Sequence, residues 1–164
     1  MKKMKLFGGA ALAAILTMPG LAQAADPPAT SEVLGKLHQS NQKEIEMGKM
    51  AQKNGTSKDV KDYGKTLVKD HTAADKKVVA LAKKEKVELP AAAAGEGHDM
   101  AAGADFDAKF AQEMLDDHKK DVAEATSARD ATNDEKLKKL LTELVPTLQK
   151  HQDTAQKLVD TTKK

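Results

Sequence analysis

Four stretches of this chain place their inward residues three and four positions apart, turn after turn, and that spacing allows little besides a set of packed helices. The first seam runs Leu34, Leu37, Asn41, Glu44, Gly48, Ala51, and the second Val60, Gly64, Leu67, His71, Ala74, Val78, Leu81. The third is less regular, with Ala111, Met114, His118, Val122 and Ala125. The fourth runs Leu137, Leu141, Leu144, Leu148, His151, Ala155, Leu158. With no cysteine in the chain, disulfides, thiolate metal sites and thiol catalysis are all excluded, and packing alone must hold the helices together.

The segments between the seams mark the helix ends. Asn54-Gly55 predicts a stop with a left-handed glycine cap, so helix one spans about Ser31 to Asn54. Thr56 with Asp59 reads as a capping box, and helix two runs from about Ser57 to Lys86, ahead of Leu89-Pro90. Helix three is expected from about Asp105 to Arg129. A second capping box, Thr132 with Glu135, opens helix four at about Asn133 to Thr161. Between helices two and three lies an alanine- and glycine-rich crossover at about residues 88 to 104. Some 15 extended residues reach roughly 45 Å, enough to return along a helix about 40 Å long. Both a returning crossover and a plain up-down-up-down order remain open on length alone.

Residues 1 to 24 read as an export signal: Lys2, Lys3 and Lys5, an apolar run from Leu6 to Met18, then Ala22-Gln23-Ala24 as a small-x-small cleavage site. The expected mature part, residues 25 to 164, is one domain, addressed to the periplasm or cell envelope. No later run approaches the ~20 apolar residues that span a bilayer, so any membrane association would be peripheral. The net charge of +2 belongs to the whole chain; of 27 basic residues three lie in the signal, leaving 24 against 25 acids. Without a basic field, and with one tyrosine, three phenylalanines and no tryptophan, nucleic acid is not an expected partner. The oligomeric state is not legible.

Each seam carries one strong ligand type: Glu44, His71, His118 and His151. At ~1.5 Å per residue, Glu44 and His71 lie about 15 and 21 Å from the first interhelical turn, and His118 and His151 about 17 and 25 Å from the second. All four therefore fall in the middle layer under either topology. A buried carboxylate is costly unless paired or metal-bound, and buried imidazoles need partners, so the four call for a joint explanation. One is a site for a single divalent ion, with zinc, iron, manganese and copper all suited to the donors, and Asn41, Asp70 and Asp117 as candidate orienting residues. The other is a metal-free polar layer that fixes register.

Other signals are thinner. His98-Asp99-Met100, with Met47 and Met50, offers copper-suited donors, but methionines on a helix are usually packing and a histidine in a linker is usually solvated. His38 sits beside the first seam as a boundary residue. Pro146 falls inside helix four, where it removes a backbone donor from the Thr142 carbonyl and bends the helix near His151. Phosphate loops, the nucleophile elbow and His-Glu-x-x-His are all missing, which removes conventional hydrolases and nucleotide enzymes.

The run Asn41-x-x-Glu44-Ile45-x-x-Gly48-x-x-Ala51, with Leu67-Val68-Lys69-Asp70-His71-Thr72, Phe106-Asp107-x-x-Phe110-x-x-x-Met114-x-x-x-His118 and Val145-Pro146-x-Leu148-x-x-His151, resembles the exported bacterial family known as domain of unknown function 4142. Its members are often labelled membrane or outer membrane proteins. The resemblance covers nearly the whole mature chain and implies an all-α, ferritin-like four-helix bundle with a long crossover between helices two and three, at a cell-envelope address. It implies no reaction and no particular metal. Di-iron ferritins carry Glu-x-x-His pairs, and here Leu115 and Leu148 stand three residues before His118 and His151, with Leu67 four before His71, which argues against two bridged irons. Tyr63-Gly64 replaces the family's expected aromatic-alanine pair. The leading expectation is a non-enzymatic, stress-associated envelope protein holding one metal ion. The alternatives are a metal-dependent oxidoreductase acting on reactive oxygen species and a structural or partner-binding bundle without metal.

Overall fold

The computed structural model describes residues 28–91 and 100–162. The expected export signal, His98 and Asp99 lie outside these. Four helices account for most of the described chain: α1 Thr30–Asn54, α2 Lys58–Glu85, α3 Phe106–Ala131 and α4 Glu135–Thr162. Helix α4 runs unbroken across Pro146. The seam positions read from the sequence are buried, with Leu37, Ala74 and Val122 half-buried at the edges, and off-seam residues such as Met47, Tyr63, Phe106 and Phe110 are buried beside them.

Contacts between the ends decide the topology. Thr30 at the start of α1 donates to Asp134 just before α4 (3.0 Å), and Lys136 near the start of α4 meets Glu85 at the end of α2 (2.7 Å). At the other end, Asp107 in the first turn of α3 accepts from Thr56 N, Thr56 Oγ1 and Ser57 N, each at 2.8 Å, in the α1–α2 turn. Helix α2 therefore finishes at one end of the bundle and α3 begins at the other, so the crossover returns along its length and α2 and α3 run parallel. This is the ferritin-like arrangement. Every neighbouring pair is then antiparallel: α1 packs closely on α2, α3 on α4, and more loosely α2 on α4 and α1 on α3.

Three local readings are corrected. Gly55 has φ −57°, so it is not a left-handed cap; it is required because a Cβ there would lie 2.5 Å from the Ala51 carbonyl. The left-handed cap belongs to Lys86, φ 57°, at the end of α2. The two capping boxes also shift by a residue or two. Ser57 caps α2 by accepting from Val60 N, and Asp134 accepts from Lys136 N and Leu137 N at the start of α4. Thr56 is engaged by Asp107 instead.

Gly48 and Gly64 let α1 and α2 touch backbone to backbone. A Cβ on either would sit 2.6 Å from the other's carbonyl oxygen, which explains why glycine rather than alanine follows Tyr63.

Candidate metal centre

Two apolar clusters fill the bundle and stop short of each other. The first, leucine-rich, gathers Leu34, Val78, Leu81, Leu137, Leu141 and Leu144 toward the end where α1 and α4 begin. The second gathers Met47, Tyr63, Leu67, Phe106, Phe110 and Met114 toward the α1–α2 turn. Between them lies a layer whose side chains are polar: Asn41, Glu44, His71, His118 and His151, all buried. Each of the four helices contributes, because each seam places its polar residue at mid-height.

The three imidazoles face one another. One ring nitrogen from each of His71, His118 and His151 lies within 4.8 Å of the others, and the ring centroids are 5.1 to 5.6 Å apart. In every case the other ring nitrogen is held by an oxygen. His71 Nδ1 faces Asn41 Oδ1 at 2.9 Å, His118 Nδ1 faces the Met114 carbonyl at 2.9 Å, and His151 Nε2 faces Asp70 Oδ2 at 3.1 Å. These oxygens are acceptors, so each ring donates there and its remaining nitrogen carries a lone pair. Those nitrogens, His71 Nε2, His118 Nε2 and His151 Nδ1, are buried and have no hydrogen-bond partner among the described residues.

Glu44 completes the set. Its Oε2 is also buried without a partner, while Oε1 approaches His118 Nδ1 at 3.8 Å. That approach is not an ion pair, because the Nδ1 proton is committed to Met114 and burial drives both groups neutral. Burial is the main cause that pushes the Glu44 carboxyl well above the usual carboxylate range, with Asp121 and Asp117 adding to it. Burial likewise pulls His71 well below its ordinary value, His118 down to about 4, and His151 down despite Asp70 beside it.

Of the expected orienting residues, Asn41 and Asp70 each hold a histidine ring. Asp117 instead accepts from Lys43 Nζ at 2.8 Å, and the group that orients His118 is the Met114 carbonyl one turn back. No side-chain pattern could have flagged that carbonyl. His38 is tied to Asp75 at 2.7 Å, and Gln42 donates to the same carboxylate, so His38 stands apart from the cluster as expected. Met47 is buried and Met50 and Met100 are half-buried, all packed in or on the second apolar cluster. Tyr63, notable in the sequence only for the glycine that follows it, donates to the His151 carbonyl at 3.0 Å and packs edge-on to that ring.

A self-contained polar layer would satisfy its own members, and among the described residues this one does not. Three unpaired ring nitrogens share this layer, and Glu44 can give at most a single hydrogen. An electrophile of small size is what the donor set fits, and each imidazole already has the oxygen partner that metal-binding histidines use to fix ring orientation.

A family model described as "Domain of unknown function (DUF4142)" matches residues 17–158. The chain belongs to that family. No curated protein matches it in sequence. Among solved structures it is similar to CopM. The Cu(I)-bound form gives TM-score 0.72 at 17% identity, covering 81% of this chain and 96% of that one. The apo form gives TM-score 0.70 at 17% identity, covering 80% and 96%, and the Cu(II)-bound form gives the same figures. At that identity the likeness speaks to the fold, and it agrees with the all-α bundle. No helix among the described residues is long and apolar enough to cross a membrane.

Proposed function

We propose that this protein is a non-enzymatic metal-binding bundle of the cell envelope, holding one transition-metal ion through His71, His118 and His151 with Glu44 beside them. The observation that carries this reading is the convergence of three buried, unpaired imidazole nitrogens whose opposite nitrogens are each fixed by an oxygen. A bound cation would supply the charge those lone pairs and the Glu44 oxygen need, and would draw the Glu44 proton off. Leaving the four atoms bare costs stability, a cost a purely structural layer has no reason to carry.

Among the ions suited to these donors, copper comes first. Imidazole nitrogen serves it well, it heads the affinity order of divalent ions, and CopM takes copper in the same fold. Zinc is next by donor chemistry. The envelope address rests on the leader-like residues 1 to 24.

The test is elemental mass spectrometry on the untagged mature protein from its own compartment, beside Glu44→Gln and His118→Ala variants. About one metal per chain in the wild type and much less in His118→Ala is expected. No metal, together with no thermal stabilisation by copper, zinc, iron or manganese, would return the layer to a structural role. Metal-dependent turnover of superoxide or peroxide, lost in His118→Ala, would make the protein an enzyme instead.

A further inference from the structure

A buried site needs a way in, and the four interhelical seams are not equal. Helices α1 and α2, and α3 and α4, are tightly packed, and α2 meets α4 through Tyr63 on His151 and through the Lys77–Glu143 and Lys136–Glu85 pairs. The α1–α3 seam is the loosest of the four. Polar side chains cross it where the polar layer lies: Ser40 donates to Asp121, and Lys43 reaches Asp117 at 2.8 Å and Glu113 at 3.7 Å.

Along this seam runs a groove of about 1680 Å³, whose lining includes Lys43, Asp117 and Asp121 at the surface and Glu44, His71 and His151 within. Glu44 stands between the two zones. It is outside the tight trio of ring nitrogens, yet it lines the same groove as Asp117 and Asp121. Its Oε2 is buried and unpaired.

Resting on the metal-binding reading, we propose that the α1–α3 seam is the route by which the ion reaches the imidazoles. Asp117 and Asp121 are its outer carboxylates, Glu44 its inner one, and Lys43 the clasp that holds it shut. A cation moving inward would find an oxygen donor at each stage before meeting nitrogen. Lys43 opposes that passage twice, by occupying Asp117 and by its own charge. Breaking the clasp lowers a barrier outside both the free and bound states, so uptake and release change together and affinity does not.

The test follows Cu(II) uptake by stopped-flow absorbance and its release to excess chelator, in full-length mature protein shown to be helical by circular dichroism. Lys43→Ala is expected to speed both uptake and release by about tenfold, and Asp121→Asn to slow both by about tenfold, the scale on which charges lining a cleft act on rates. Their Kd values should agree with the wild type within about threefold. Asp116→Asn, the same charge change at an exposed position on α3, should leave both rates unchanged. Wild-type uptake with identical rates in Lys43→Ala and Asp121→Asn would overturn the route and leave the metal site standing. Changes in uptake alone, shared by Asp116→Asn, would reduce the effect to bulk charge and overturn it too. A wild type that takes up no ion overturns the metal-binding reading itself, and the route with it.

Discussion

The apolar clusters and the layer between them are built from the same helices, at the same depth, by opposite rules. In the cluster nearer the α1–α2 turn, Phe106 stacks on Phe110 with centroids 5.9 Å apart, Tyr63 packs edge-on to Phe110, and the buried tyrosine hydroxyl has its acceptor. No buried side-chain polar atom there is left unpaired among the described residues. One to two helical turns away, Glu44, His71, His118 and His151 each leave a buried polar atom without a partner among the described residues. The clusters hold the bundle together, and the layer weakens it. A region that costs stability, while its neighbours on both sides are well satisfied, is where selection for something other than folding shows.

The largest break in that contrast comes from the stable side. Phe110→Ala removes a fully buried ring from contact with Phe106 and Tyr63, and should destabilise the protein by about 3–5 kcal/mol in chemical denaturation. A loss below about 1 kcal/mol would mean that this cluster is looser than its packing implies.

The layer should respond in the opposite direction. Replacing Glu44 and His118 together by leucine exchanges unpaired polar atoms for packing, and should stabilise the metal-free protein by about 1–4 kcal/mol at neutral pH while abolishing metal uptake. The single His118→Leu variant should alter the acid limb of stability. His118 holds its folded value at about 4 against about 6.5 in the unfolded chain, so between these pH values the unfolded state binds the extra proton. Its contribution is complete above about pH 6.5 and lost as pH falls through about 4, amounting to about 3 kcal/mol. His71 and His151 act in the same sense, while Glu44, whose folded value is raised, contributes below its ordinary 4.5 and loses that as pH rises. Removing His118 alone takes away one of the three histidine contributions and keeps the opposing one from Glu44, so His118→Leu should flatten the loss of stability on acidification. Equal acid sensitivity in both proteins would show that the layer does not govern it.

How much of this could be read from the sequence follows from periodicity. His71, His118 and His151 stood out because each interrupts an apolar seam at a core position, and Glu44 for the same reason, so a mid-bundle layer was legible before any coordinates. The acids off those seams were not. Asp75, Asp107 and Asp121 look like members of a solvated face, yet Asp75 holds His38, Asp107 caps the α1–α2 turn, and Asp121 accepts from Ser40 across the α1–α3 seam. Each acquires its role from a residue 37 to 81 positions away, a separation that no local pattern encodes. The crossover direction was undecided for a related reason: its length permits both topologies, and only long-range contacts such as Thr30–Asp134 and Thr56–Asp107 choose between them.

The smallest expected effect tests whether the layer is a set of oriented donors or only a polar pocket. Asn41 Oδ1 meets His71 Nδ1, the nitrogen opposite the unpaired Nε2, and so keeps Nε2 unprotonated. Asn41→Ala leaves every proposed ligand in place and frees that ring to turn or change tautomer. Loss of such a support usually weakens metal affinity by about 10–100-fold without changing stoichiometry, and competition titration against a chelator of known affinity reads both quantities. Unchanged affinity would mean that His71 is held by packing alone, and that the pairing of each ring with an oxygen is incidental to binding. A drop in stoichiometry rather than affinity would mean that Asn41 supports the fold, which a parallel denaturation curve would register as lost stability. Only weakened binding at full stoichiometry fits a layer in which one nitrogen of each histidine is fixed so that the other can bind.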